Sequence, residues 1–239
     1  MTTKETFNPN KTARVAGCLY LMLFPLGIFG IIYVPSSLIV LGDAATTASN
    51  IMANELLYRL SIVTALTLQI VYIFLALALY KLLNPVDKNN AVLMVILVLV
   101  AAPIAMLNEL NHVAVLLVLS GSDFLTTFSL DQVRASVPLF LNLHEHGVFI
   151  AQIFWGLWLF PMGYLIFKSN FLPLALGILM IIGGFGYLVD SFVYFIFPDF
   201  DVTFSEFTFL GELLFPLWLM FKGVNHEQWE KYALKSTLI

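Results

Sequence analysis

Six apolar stretches divide the chain, at about residues 15–34, 58–80, 91–119, 141–167, 171–197 and 206–221. A helix needs roughly 20 apolar residues to cross the hydrocarbon of a bilayer. Most of these stretches meet that length, and the last is shorter. Polar and turn-forming residues separate them. Pro35-Ser36-Ser37 is expected to break the first helix. Asp43 is placed to cap a short helix over residues 44–55, lying at the membrane interface ahead of the second span. KLLNPVDKNN (81–90) and Lys168-Ser169-Asn170 read as tight connections, and residues 198–205 as an acidic loop.

The pattern predicts an all-α integral membrane bundle of six transmembrane helices with a short interfacial helix between spans 1 and 2. A polar tail, residues 1–14, precedes the transmembrane domain of residues 15–221. Residues 222–239 form a second polar tail, expected to be helical. The N-terminal segment lacks a small-residue cleavage site at the right distance, so the first span reads as an uncleaved helix.

Composition supports lipid as the solvent. The chain is 60% hydrophobic and 11% charged, against roughly 45–50% and 25% in soluble domains. One cysteine, Cys18, excludes an intrachain disulfide. Basic residues occur only near span ends, which leaves no nucleic-acid surface. Gly183-Gly184-Phe185-Gly186 sits inside an apolar run and suits close helix packing better than phosphate binding.

Charge then gives orientation. With the loops taken alternately, one side receives Lys4, Lys11, Arg14, Lys81, Lys88, Lys168, Lys222, Lys231 and Lys235, and the other only Arg59 and Arg134. The positive-inside rule makes the nine cytoplasmic and places both termini there. The acids do the reverse. Asp43, Glu55, Glu109, Asp123, Asp131, Glu145, Asp190, Asp199, Asp201, Glu206 and Glu212 fall on the outer side or in the outer part of a span. Such a field draws cations; solvated acidic loops account for it equally.

Ionisable residues inside a span are costly and mark functional positions. At 100° per residue, Asn108, Glu109, Asn111 and His112 share an arc of about 160° in the third span. Asn142, Glu145, His146 and Gln152 share about 120° in the fourth, with His144 on the opposite side if that stretch is helical. Asp190 and Ser191 lie on the glycine-rich face of the fifth span. Glu212 sits in the sixth span, and Arg59 at the outer start of the second as a counter-charge or anchor. The predicted pocket therefore comprises Glu109, His112, Asn108, His146, Glu145, Asp190, Ser191, Glu212 and Arg59, in the outer half of the bundle. Within it Glu109, His112, His146 and Asp190 form a ligand set suited to a divalent metal such as zinc, iron or manganese. Interhelical hydrogen bonding is the competing role for all of them.

GDAATTASNI (42–51), ELLYRL (55–60) and the long stretch GLWLFPMGYLIFKSNFLPLALGILMIIGGFGYLVDSF (156–192) resemble the bacterial membrane family DUF4386. The resemblance runs from about Ala13 to the sixth span. It implies a multi-pass inner-membrane protein and no activity, since the family's function is unknown. Three readings stay open: an intramembrane metal-dependent hydrolase of lipids or amides, a protein that binds or transports a small ligand or cation from the outer side, and a structural or partner-binding subunit.

Overall fold

The computed structural model describes residues 7–121, 129–197, 199–200 and 202–236. Lys4, Glu5, Asp123 and Asp201 lie outside them, as does Pro198 of the expected acidic loop. Among the described residues the chain is helical, without strands. The elements are α1 (Pro9–Gly27), a π-helical segment (Ile28–Tyr33), α2 (Val34–Leu38), α3 (Ala44–Ala53), α4 (Glu55–Leu83), α5 (Lys88–Asn108), α6 (Leu110–Leu119), α7 (Leu130–Leu157), α8 (Leu159–Ser169), α9 (Leu174–Ile196), α10 (Ser205–Thr208), α11 (Leu210–Phe221) and α12 (His226–Ser236).

Among the described residues five continuous stretches are long and apolar enough to cross a membrane: Pro9–Leu38, Glu55–Leu83, Lys88–Leu119, Asp131–Ser169 and Leu174–Ile196. The sixth apolar run is one arm of a pair, Ser205–Phe221 and His226–Lys235, bent by 98°. Six spans are reached when that pair counts as one.

One proline sets a break and another does not. A proline removes the N–H that would bond four residues back, and its ring crowds that carbonyl. Pro161 thereby leaves the Leu157 carbonyl without its helical donor, and α7 gives way to α8 at Trp158. Pro35 does not end the first helix, contrary to the sequence expectation. The helix widens into the π segment just before it, where the Val34 N–H reaches back to Phe29, and it continues to Leu38. The start also differs. Asn8 caps the Lys11 N–H at 3.0 Å with Pro9 in the first turn, a favoured opening. Residues 9–14, expected in a polar tail, are therefore helical. The expected cap at Asp43 is present: its carboxylate accepts from the Thr46 N–H (2.9 Å) and hydroxyl (2.6 Å).

The chain forms two compact units. One draws on Met1–Leu21, Val71–Ala101 and Gln152–Ile239. Glycines set its helix spacing. A Cβ on Gly177 would stand 2.6 Å from the Gly163 carbonyl oxygen, and one on Gly184 2.9 Å from that of Gly156. Small residues at those four positions let α9 touch the end of α7 at Gly156 and α8 at Gly163, backbone to backbone. The glycine face of the fifth span is thus its packed face, as the sequence implies. The C-terminal helix α12 docks through Trp229, whose indole N–H donates to the Leu82 carbonyl at 2.8 Å and so satisfies a free C-terminal acceptor of α4.

The other unit draws on Met22–Ile70 and Ala102–Ala151. Its apolar core joins Val34, Leu38, Ala48, Ile51, Tyr58, Ile62, Val115 and Val137. The interfacial helix α3 contributes Ala48 and Ile51, both fully buried. Helix α4 runs through both units, and Val63, Ile70, Phe74 and Leu77 follow one flank of it and are exposed. Such a stripe is the surface a helix offers to lipid.

Candidate metal centre

The second unit contains a compact polar cluster on α5, α6 and α7. Glu109 stands at the junction of α5 and α6. His112 follows three residues later, so both side chains leave the same face. Glu109 Oε2 lies 3.0 Å from His112 Nδ1, and Oε1 lies 3.1 Å from His144 Nε2. The two imidazoles stack at 3.7 Å, 23° from parallel. The side chains are only 8–15% exposed. One carboxylate thus takes both of its oxygens to two imidazoles inside an apolar core.

Neighbouring groups fix the arrangement. Asn108 donates to the His144 carbonyl at 2.7 Å and accepts from Asn111 at 3.0 Å. That contact needs Gly147 on α7, since a Cβ there would overlap the Asn108 amide. Tyr58 of α4 meets the His112 ring edge-on at 5.3 Å. Its hydroxyl is buried with no hydrogen-bond partner among the described residues.

The donor set is suitable for a metal. Two imidazole nitrogens and a carboxylate oxygen from Glu109, His112 and His144 lie within 4.8 Å of one another. Bonds of 2.0–2.1 Å in a tetrahedral site put ligand atoms about 3.3 Å apart, close to the separation of each imidazole nitrogen from its own nearer Glu109 oxygen. Three protein ligands would leave one position open.

The other residues expected in the pocket are placed differently. His146 is exposed and its Nδ1 meets the Asn142 carbonyl at 2.7 Å; Glu145 is also exposed. Helix α7 already runs through both histidines, so His144 and His146 point to opposite sides, and His144 is the one that turns inward. Asp190 is buried in the first unit, where its two oxygens accept from the Phe204 N–H (2.6 Å) and the Ser205 N–H (2.9 Å). It anchors the start of α10. Ser191 donates to the Tyr187 carbonyl one turn back. Glu212 accepts from Tyr20 at 2.9 Å. Arg59 pairs with Glu55 at 2.7 Å on an exposed face. Gln152 donates to the Tyr187 carbonyl at 3.3 Å, a link between helices.

His144, Tyr58 and Gly147 lay outside the sequence-based selection. A signal for His144 existed. Val137 and Ala151 are both fully buried, and His144 sits midway between them at heptad spacing. Seven residues turn a helix by nearly two full turns, so all three share the inward face.

Residues 15–223, which take in the whole predicted transmembrane region of residues 15–221, match the family model described as "Domain of unknown function (DUF4386)", and the chain belongs to that family. A relative from Archaeoglobus fulgidus, itself named "Uncharacterized protein", is 32% identical over 163 residues, covering 68% of this chain and 83% of its own. No solved structure matches the chain.

Proposed function

We propose that this member of the DUF4386 family is a membrane metalloprotein, with one divalent transition-metal ion held by Glu109, His112 and His144, acting as a hydrolase on a lipid or amide bond. The carrying observation is the convergence within 4.8 Å of one carboxylate from the α5–α6 junction and two imidazoles from α6 and α7. Neutral imidazoles and an anionic carboxylate are the forms that ligate, and the set suits zinc, iron or manganese. Such an ion would supply Lewis acidity and an activated water at the open position. Glu109 offsets charge in a site where water cannot. Asn108 and Gly147 hold α7 at the distance that presents His144. The Tyr58 hydroxyl is the nearby buried group with hydrogen-bonding capacity to spare, suited to orienting a water or substrate oxygen.

Both termini are placed in the cytoplasm, on the nine-to-two division of basic residues. The competing reading is a structural subunit, in which the Glu–His–His hydrogen bonds serve only to join α5, α6 and α7.

Metal analysis of the purified protein separates the two. About one bound transition-metal ion per chain is expected, lost in His112→Ala and His144→Ala and retained in His146→Ala. Metal-free wild-type protein, or equal metal content in wild type and His144→Ala, would rule the metal centre out. Release of fatty acid or amine that requires the metal would then establish the hydrolytic role.

A further inference from the structure

The first unit carries a groove of about 610 Å³ between α1 and α4, with charge at one end and hydrocarbon along the rest. Lys11 and Lys81 stand at its mouth, and Val15, Leu19, Phe74 and Leu77 line it further in. The helices run antiparallel here, so both lysines fall at the same end. Lys11 to Leu19 is eight residues of helix, about 12 Å, and Lys81 to Phe74 is about 10 Å. The apolar floor therefore extends a good part of a leaflet's depth. Val15, Phe74 and Leu77 are 41–57% exposed, and among the described residues neither ammonium has an ion-pair partner.

We infer that this groove is a binding site for one anionic phospholipid, its phosphate between Lys11 and Lys81 and an acyl chain along Val15, Leu19, Phe74 and Leu77. Charge complementarity selects the headgroup. Two ammonium groups without an ion-pair partner among the described residues, at the membrane–water boundary, attract a net negative lipid, whereas a zwitterionic headgroup brings its own cation and gains less. The apolar floor selects a lipid over a free anion, because phosphate alone would leave the groove's hydrocarbon uncovered. This site is independent of the proposed metal centre, and the failure of either leaves the other standing.

Native mass spectrometry of the full chain, released from nanodiscs of equal phosphatidylglycerol and phosphatidylcholine, tests it. Wild type should retain phosphatidylglycerol with a preference on the order of tenfold, as two near-surface lysines imply. Lys11→Gln/Lys81→Gln should lose the preference, and Lys11→Arg/Lys81→Arg should keep it. Leu77→Trp, which fills the groove and leaves both lysines, should lower retention of either lipid. A thermal melt of each variant confirms that it is folded. Equal retention of the two lipids by wild type, or a preference that survives the glutamine pair, overturns the site. Full displacement of phosphatidylglycerol by inorganic phosphate would make it an anion site and not a lipid site, which also overturns the inference.

Discussion

Glu109 and Glu212 are both carboxylates set in apolar helices, one in each compact unit, and their neighbours give them different chemistry. Glu109 meets two imidazoles, at 3.0 and 3.1 Å. Glu212 meets phenols: Tyr20 donates to its Oε2 at 2.9 Å. Its Oε1 is buried with no hydrogen-bond partner among the described residues, and the Tyr187 phenol lies near the carboxylate. Around Glu212 lie aromatic rings, Tyr20 against Trp158 at 6.0 Å and against Phe215 at 6.3 Å. Imidazole nitrogens have lone pairs for a transition metal, whereas neutral phenols serve chiefly as hydrogen-bond donors. The same acid therefore belongs to a candidate metal centre in one unit and to a hydrogen-bonded aromatic cluster in the other. Asp190 shows a third use, spending both oxygens on backbone N–H groups. An intramembrane carboxylate is thus a question that its partners answer.

The largest expected effect falls on metal binding. Glu109→Gln should lower metal affinity by more than about 100-fold, since it removes a ligand where even a supporting residue is worth 10–100-fold. Glu212→Gln should leave affinity unchanged. Titration of stripped protein with zinc reads both, and metal loss in Glu212→Gln would erase the contrast between the two acids. Next is Gly147→Ala. Its added methyl must displace Asn108, and a cost of about 1–3 kcal/mol is expected for overpacking, with weaker metal binding because His144 shifts. A melting curve in detergent with a parallel metal assay checks it; an unaltered site would show that Asn108 does not position α7.

Asp190→Asn keeps an acceptor but loses the charge on two backbone hydrogen bonds, so a loss of about 1–2 kcal/mol is expected, with no change in metal content. Tyr20→Phe is expected to cost about 0.6 kcal/mol, the average for an interhelical hydrogen bond in a membrane. A loss several times larger would give the Glu212 cluster more weight than packing.

The smallest effect concerns pH. The Thr46 hydroxyl, then the Thr46 N–H, hold the Asp43 carboxyl below its ordinary value of 3.8. A lowered folded-state value means stabilisation that is present above the unfolded value and lost as pH falls through the folded one. Amide exchange in α3 should therefore accelerate only in strong acid, and Asp43→Ala should abolish that dependence.

Parts of this were readable from residues alone. The cap at Asp43 follows from a short polar side chain ahead of a helix-forming stretch. Glu109 and His112 follow from spacing, since three residues along a helix bring two side chains together. The length of the first helix did not follow, because a π segment absorbs Pro35 and local rules place a break there. His144 was set aside because polar residues on α7 crowd the opposite face, and the inward stripe of Val137, His144 and Ala151 is mainly apolar.

The sequence by itself determined the solvent, the helical class, the apolar runs and two of the three residues of the candidate metal cluster. These depend on composition and on contacts within one helix, which a linear pattern encodes. Only the tertiary structure decided which histidine on α7 turns inward, that Asp190 serves the backbone of α10, and that Glu212 sits among tyrosines. Those outcomes depend on how one helix is rotated against another, and that rotation is fixed by packing across helices, such as Asn108 against Gly147.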